Sequence, residues 1–202
     1  MKKLLALSFT TVCLFFAILL TSCGGSGKSY DGPLGKEATI ASKHISEIQS
    51  MSEKMKSLAT SADNIKEAIE LQKEINDYMK TAKEELDSFA AQNPDGKAVP
   101  FEQKGAKDVY EIIAIKFVGY NINASQNDVQ SHFHAKVKVL KPGVPDGIDV
   151  DFVDAAGNIL LKEKFYLGVG ISEKPEPNKV IPMYCNYNKF SKILDLTEIN
   201  VQ

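Results

Sequence analysis

Hydrophobic positions follow three regimes along this chain. They are almost continuous from Leu4 to Leu20, recur every three or four residues from Glu37 to Gln92, and alternate with polar positions after Asn93. The middle regime holds no Gly or Pro and is rich in Ala, Glu, Lys, Ile, Leu and Met, which predicts helix. Ile48, Met51, Met55, Leu58, Ala62, Ile65 and Ile69 step by three and four as one coiled-coil-like stripe. The stripe then lands on Gln72 and Asn76, while a second face (Ile75, Met79, Ala82, Leu86, Phe89) takes over, shifted by one residue. Thr60-Ser61-Ala62-Asp63 has the form of a capping box, with lysines before it and acids after it. These signals favour a hairpin of helices near 37–59 and 62–92; the uninterrupted stripe through Ala62 keeps one long helix as the alternative.

Asn93-Pro94-Asp95-Gly96 stops the helix and marks a domain boundary. Beyond it, strands are predicted near 109–118, 132–140, 147–153, 159–167, 180–187 and 192–200. Phe133, Ala135, Val137 and Val139 alternate with His134, Lys136, Lys138 and Leu140, so one sheet face is apolar. Asp154-Ala155-Ala156-Gly157-Asn158 reads as a hairpin loop with glycine at the awkward backbone position. The expected class is α+β, a helical hairpin followed by an antiparallel two-sheet sandwich over 97–202. The segment from Val150 to Leu160 resembles the hairpin of bacterial Ig-like envelope domains. That resemblance implies an Ig-like sandwich without the cysteines and tryptophan of antibody domains.

The first regime is a targeting segment. Lys2 and Lys3, the apolar run and the small residues after it have the layout of a secretory signal, residues 1–22; Ser8, Thr10, Thr11 and the Gly-rich exit disfavour the alternative of a membrane-spanning helix. Leu20-Thr21-Ser22-Cys23 resembles the lipobox of bacterial lipoproteins. The resemblance implies cleavage before Cys23 and acylation of that residue, so that membrane lipid is the first partner, with palmitate-type chains anchoring stably when there are two or more. Gly24 in place of aspartate implies release to the outer membrane, facing the periplasm. Residues 23–36 then form the lipidated cysteine and a Gly/Ser-rich flexible tether with a reach of roughly 20 Å.

Composition narrows the function more than it names it. Without the signal about 180 residues remain, room for one ordinary domain or two small ones. The net charge of −2 gives no sign of nucleic acid as a partner. Of three cysteines, Cys13 leaves with the signal and Cys23 takes lipid, so Cys185 has no partner for an internal disulfide and reads as a buried hydrophobe. Gly27-Lys28-Ser29 fails as a phosphate loop because Ser22 stands where its first glycine belongs and no strand precedes it.

His132 and His134 share a strand face, yet no third ligand is placed beside them, with His44 expected on a helix. Asp146, Asp149, Asp151 and Asp154 miss the EF-hand pattern at Val153. No nucleophile with a base, metal set or cofactor motif can be assembled, so no enzyme, metal or cofactor is expected. The expected function is a non-enzymatic, membrane-anchored protein-binding or scaffolding module of the envelope, with Ile48, Met51, Met55, Leu58, Ile65 and Ile69 as the partner-binding stripe. The alternatives are a glycan or small-ligand module on a sandwich face and self-assembly through the helices. Tyr30, Tyr120, Tyr166, Tyr184 and Tyr187 are candidate contacts, and an aromatic cluster on a solvated sheet face would favour the glycan alternative.

Overall fold

The computed structural model describes residues 28–59, 64–123, 126–168 and 175–202. The signal, Cys13, Cys23 and the capping box at Thr60–Asp63 lie outside these residues. Among the described residues no helix is long and apolar enough to cross a membrane.

Two helices form an antiparallel hairpin. Helix α1 (Gly35–Leu58) has Glu37 in its first turn and Lys56 in its last, each favourable to the helix dipole. Helix α2 (Ile65–Gln92) ends where the Asn93 backbone and side-chain amides both donate to the Phe89 carbonyl, at 2.9 and 3.0 Å. The early part of α1 meets the late part of α2, with Lys43 3.5 Å from Glu85 and His44 Nδ1 2.7 Å from the Tyr78 hydroxyl.

Eight strands follow: β1 (Lys97–Ala98), β2 (Phe101–Gln103), β3 (Tyr110–Asn123), β4 (Asp128–Val139), β5 (Gly147–Val153), β6 (Ile159–Leu167), β7 (Val180–Lys189) and β8 (Glu198–Val201). They pair in the order β1-β3-β4-β7-β6-β5-β8-β2, antiparallel except for the β2–β8 pair. The α+β class therefore holds, but the pairing gives one continuous curled sheet, a half-barrel, where the sequence predicts two sheets. The reason lies in β3 and β4. Their ladder shifts register at Ile112/Ala114 and Phe117/Gly119, and that of β4 with β7 shifts at Ser131/His132. Such bulges bend and twist a sheet. Among the described residues the β6–β7 seam consists of Tyr166↔Tyr184 and Leu167↔Met183, joining two half-sheets. On the other side the Gln103 side chain links β2 to β3: its Nε2 donates to the Tyr110 carbonyl and its Oε1 accepts from the Ile112 amide, both at 2.9 Å.

One hydrophobic core spans helices and sheet. Phe117, fully buried on β3, lies 5.1 Å between ring centroids from Phe89 of α2, 4.8 Å from Tyr120, 5.4 Å from Phe133 and 5.8 Å from Phe190. Ala38, Ala41 and Ile45 of α1 join the same core, the alanines letting the helix sit close. Asn93–Gly96 is thus a turn within one cored unit, with Gly96 at φ +70°, and not a boundary between two.

The end of the expected tether is also part of that unit. Leu34 is 2 % exposed, the Tyr30 hydroxyl donates to Ser42 Oγ at 3.2 Å, and Lys28 pairs with Asp195 at 2.5 Å. Residues 28–34 form a strap along the segment after the 3-10 turn Phe190–Lys192, so the expected flexible tether does not extend over them.

Candidate functional site

The face of the sheet opposite the helical hairpin carries the most distinctive surface. Along β4 the side chains of Phe133 and Ala135 are buried, so His132, His134 and Lys136 point outward, half-buried or exposed. Along β7 Met183 and Cys185 are buried and Tyr184 lies outward; along β6 Phe165 is buried and Tyr166 is 53 % exposed. Strand pairing puts these residues side by side: Lys116 of β3 opposite His134, His134 opposite Tyr184, Tyr184 opposite Tyr166, and Tyr166 opposite Gly147 of β5. The His134 and Tyr184 rings meet edge to face, with centroids 4.7 Å apart. Three aromatic side chains thus form a row across three strands on a solvated face.

Tyr166 is the more open of the two tyrosines and Tyr184 is half-buried, each ring lying close to a glycine backbone. A Cβ at Gly147 would stand 3.3 Å from the Tyr166 ring, and one at Gly168 would stand 2.8 Å from the Tyr184 ring. On the β5–β6 side the charges neutralise one another, Lys164 lying 3.1 Å from Asp149 and Lys162 4.0 Å from Asp151. On the β3–β4 side neither Lys116 nor Lys136 forms an ion pair with a described residue.

The residues singled out from the sequence are placed unevenly. The stripe is split between two environments, because α2 turns its second face toward α1 and the sheet. Ile48 and Leu58 are buried, Met51 and Met55 half-buried, while Ile65 and Ile69 are 61 % and 66 % exposed. Ile48, Met51, Met55, Ile75 and Met79 line a cleft of about 250 Å³ between the helices. The stripe is therefore not one continuous exposed surface: among its described residues only Ile65 and Ile69 are more than half exposed.

His44 stands apart from the strand histidines, 1 % exposed in the hairpin, bonded to Tyr78 and with Nε2 3.3 Å from Glu85 as an ion-pair contact. The four aspartates are engaged locally or dispersed: Asp154 Oδ1 accepts from the Ala156 and Asn158 amides at 2.9 Å, closing the hairpin loop in which Gly157 has φ +81°. Among the described residues no three His, Cys, Asp or Glu groups are arranged to hold a metal ion. Cys185 is 1 % exposed, accepts from Asn188 Nδ2 at 3.0 Å, and burial pushes its thiol up to about 12, which removes thiolate chemistry at neutral pH.

A second cavity of about 400 Å³ lies between hairpin and sheet, where Glu37, 6 % exposed, pairs with Lys97 at 2.8 Å. Tyr120 lines it, and its hydroxyl is buried without a hydrogen-bond partner. Burial, and then the Glu37 charge, push that hydroxyl's pKa upward. A buried unpaired hydroxyl costs about 1–3 kcal/mol. Tyr120→Phe is therefore expected to raise the thermal midpoint, by an amount worth about 1 kcal/mol; a lowered midpoint in calorimetry would show that the hydroxyl has a partner in solution.

All three histidines have pKa values below the free imidazole value of 6.5, with burial the first cause in each. Lys43 adds to the lowering at His44, where Glu85 and Glu47 oppose it; His132 adds to that at His134, and the Asn186 bond opposes it at His132. Between the lowered folded values and 6.5 the unfolded chain binds more protons than the folded one. Their contribution to stability is thus present above pH 6.5 and is lost as pH falls toward the folded values. Melting temperature should fall on acidification from pH 7.5 through 6, and His44→Gln should reduce the slope.

Compared with family models, curated proteins and solved structures, the chain matches none.

Proposed function

We propose that the protein is a lipid-anchored, non-enzymatic binding module of the cell envelope that holds carbohydrate on the outer face of its sheet. The observation that carries this reading is the row His134–Tyr184–Tyr166, an aromatic cluster on a solvated face whose tyrosine rings lie beside Gly147 and Gly168. Tyrosine offers an apolar ring face for the C–H face of a sugar and a hydroxyl for its polar rim. The lipobox-like Leu20-Thr21-Ser22-Cys23 supplies the anchor, at the periplasmic side of the outer membrane.

The strap bears on how such an anchor would act. Lys28 is held to Asp195, so at most about 17 Å of extended chain separates Cys23 from the folded unit. A domain tied this closely keeps one end toward the bilayer. Cys23→Ala is expected to move the protein from the membrane pellet to the soluble fraction of lysed cells; retention in the pellet would remove the lipid anchor. For the binding face, Tyr166→Ala and Tyr184→Ala should each weaken retention on envelope polysaccharide while leaving the circular dichroism spectrum unchanged. Retention equal to that of the unaltered chain would exclude the row as the site.

A protein-binding reading keeps one observation in its favour. Ile65 and Ile69 stand one turn apart on the outer side of α2, both more than half exposed. Docking there predicts that Ile65→Ser with Ile69→Ser abolishes crosslinking to an envelope protein and spares carbohydrate binding.

A further inference from the structure

We infer that the carbohydrate is an acidic polysaccharide, lying across β6, β7 and β4 with sugar rings on Tyr166 and Tyr184 and its acidic groups on Lys116 and Lys136. This rests on the carbohydrate-binding reading above and adds the class of chain and its direction.

Shape is the first argument. Sites for small molecules are concave, whereas this row lies on the open outer face of a sheet. Neighbouring strands are about 4.8 Å apart, so the row from Tyr166 through Tyr184 to His134 spans about 10 Å at right angles to the strands. A single small sugar would cover one ring and leave the other wet. An extended chain covers both and continues toward Gly147, where the Lys164 side chain lies alongside.

Charge is the second argument. The row is flanked asymmetrically: the β5–β6 side is neutralised by its own ion pairs, while Lys116, directly opposite His134, and Lys136, two residues further on β4, form none with described residues. The protein as a whole carries −2. Uncompensated positive charge beside the aromatic row is therefore a local feature, and it complements carboxylates or sulfates spaced along a sugar chain.

Position separates this surface from a lipid-facing one. The strap is fixed through Asp195, two residues from Thr197, whose amide donates to the Val153 carbonyl at the end of β5. Tyr166 pairs with Gly147 at the beginning of β5. Six residues at about 3.3 Å each put the row about 20 Å along the strand from the anchored end. The row thus stands about 20 Å from the end at which Cys23 would tie the chain.

The test is surface plasmon resonance with the full chain in detergent micelles, against alginate and polygalacturonate as acidic probes, dextran and pullulan as neutral ones, and phosphatidylglycerol vesicles. Expected are binding to the acidic chains that weakens as salt rises, a roughly tenfold loss for Tyr166→Ala or Tyr184→Ala, and a flattened salt dependence for Lys116→Gln with Lys136→Gln. Neutral chains bound as tightly as acidic ones, still through the tyrosines, would overturn the acidic class and leave the carbohydrate reading standing. Vesicles retained through the tyrosines with no polysaccharide bound would overturn both, as would no binding to any probe.

Discussion

Phe117→Ala is expected to be the most destabilising single substitution in the described structure, costing about 3–5 kcal/mol. Phe117 is completely buried and its ring touches aromatic rings from three directions: Phe89 from helix α2, Tyr120 and Phe133 from the sheet, and Phe190 from the 3-10 turn. Truncation removes the transfer energy of the ring and leaves a cavity that the four surrounding rings cannot collapse to fill. Domains of this size are stable by only about 5–15 kcal/mol, so the loss is a large share of the whole. In calorimetry the midpoint should fall by roughly 6–20 °C. Because the hairpin and the sheet share this core, the transition should remain single. Two separate transitions, with the sheet's unaffected by the hairpin's, would show two independent cores instead.

Gly32→Ala is expected to release the N-terminal strap. A Cβ on Gly32 would lie 2.0 Å from the Leu196 carbonyl oxygen, a backbone atom that cannot swing aside as a side chain can. The strap must therefore lift, exposing Leu34, whose burial is worth about 1.5–3 kcal/mol, and weakening the Lys28–Asp195 pair, which is exposed and adds little. The functional consequence follows from position. With residues 28–34 free, the tether lengthens and the sheet face loses its fixed relation to the membrane. Trypsin should then cut after Lys28 and Lys36 far faster than in the unaltered chain, and the midpoint should drop. Unchanged proteolysis and stability would mean that the strap is not docked in solution.

Sequence periodicity identified the elements better than their environment. β5 and β6 run as the alternation predicts, 147–153 and 159–167, because each is bounded by turn residues; β5 buries Ile148, Val150 and Phe152, and β6 alternates more weakly, with Phe165 fully buried. β3 and β4 extend beyond 109–118 and 132–140 to Asn123 and back to Asp128. Their extension is polar in sequence, yet Gln130 and Ser131 are buried, and Asp128 bonds the Ser191 hydroxyl and amide. Polar residues satisfied by a distant turn look like loop from sequence alone. The same holds for β1 and β2, two and three residues long, which take their strand pairing from β3 and β8.

The site was legible only in its parts. His132, His134, Tyr166 and Tyr184 were all candidates, but the sequence cannot place residue 134 beside residue 184 or 166, since cross-strand register depends on bulges and on a long connection. The helical stripe failed for a related reason. Identical spacing on α1 and α2 does not say which face each helix turns inward, and the hairpin buries Ile48 while leaving Ile65 in water. Lys116 gave no signal and Lys136 none beyond its place on the polar strand face, because an unpaired lysine is recognisable only when its surroundings are known.

The most direct measurement uses the fact that the chain contains only three histidines. Their imidazole carbon–proton NMR signals report two places at once: His134 and His132 on the outer sheet face, His44 inside the hairpin beside Tyr78 and Glu85. On addition of alginate to the full chain, the His134 signal should shift strongly, His132 less, and His44 should stay fixed. A shift of His44 with His134 and His132 unmoved would contradict binding at the aromatic row and place the ligand against the helices.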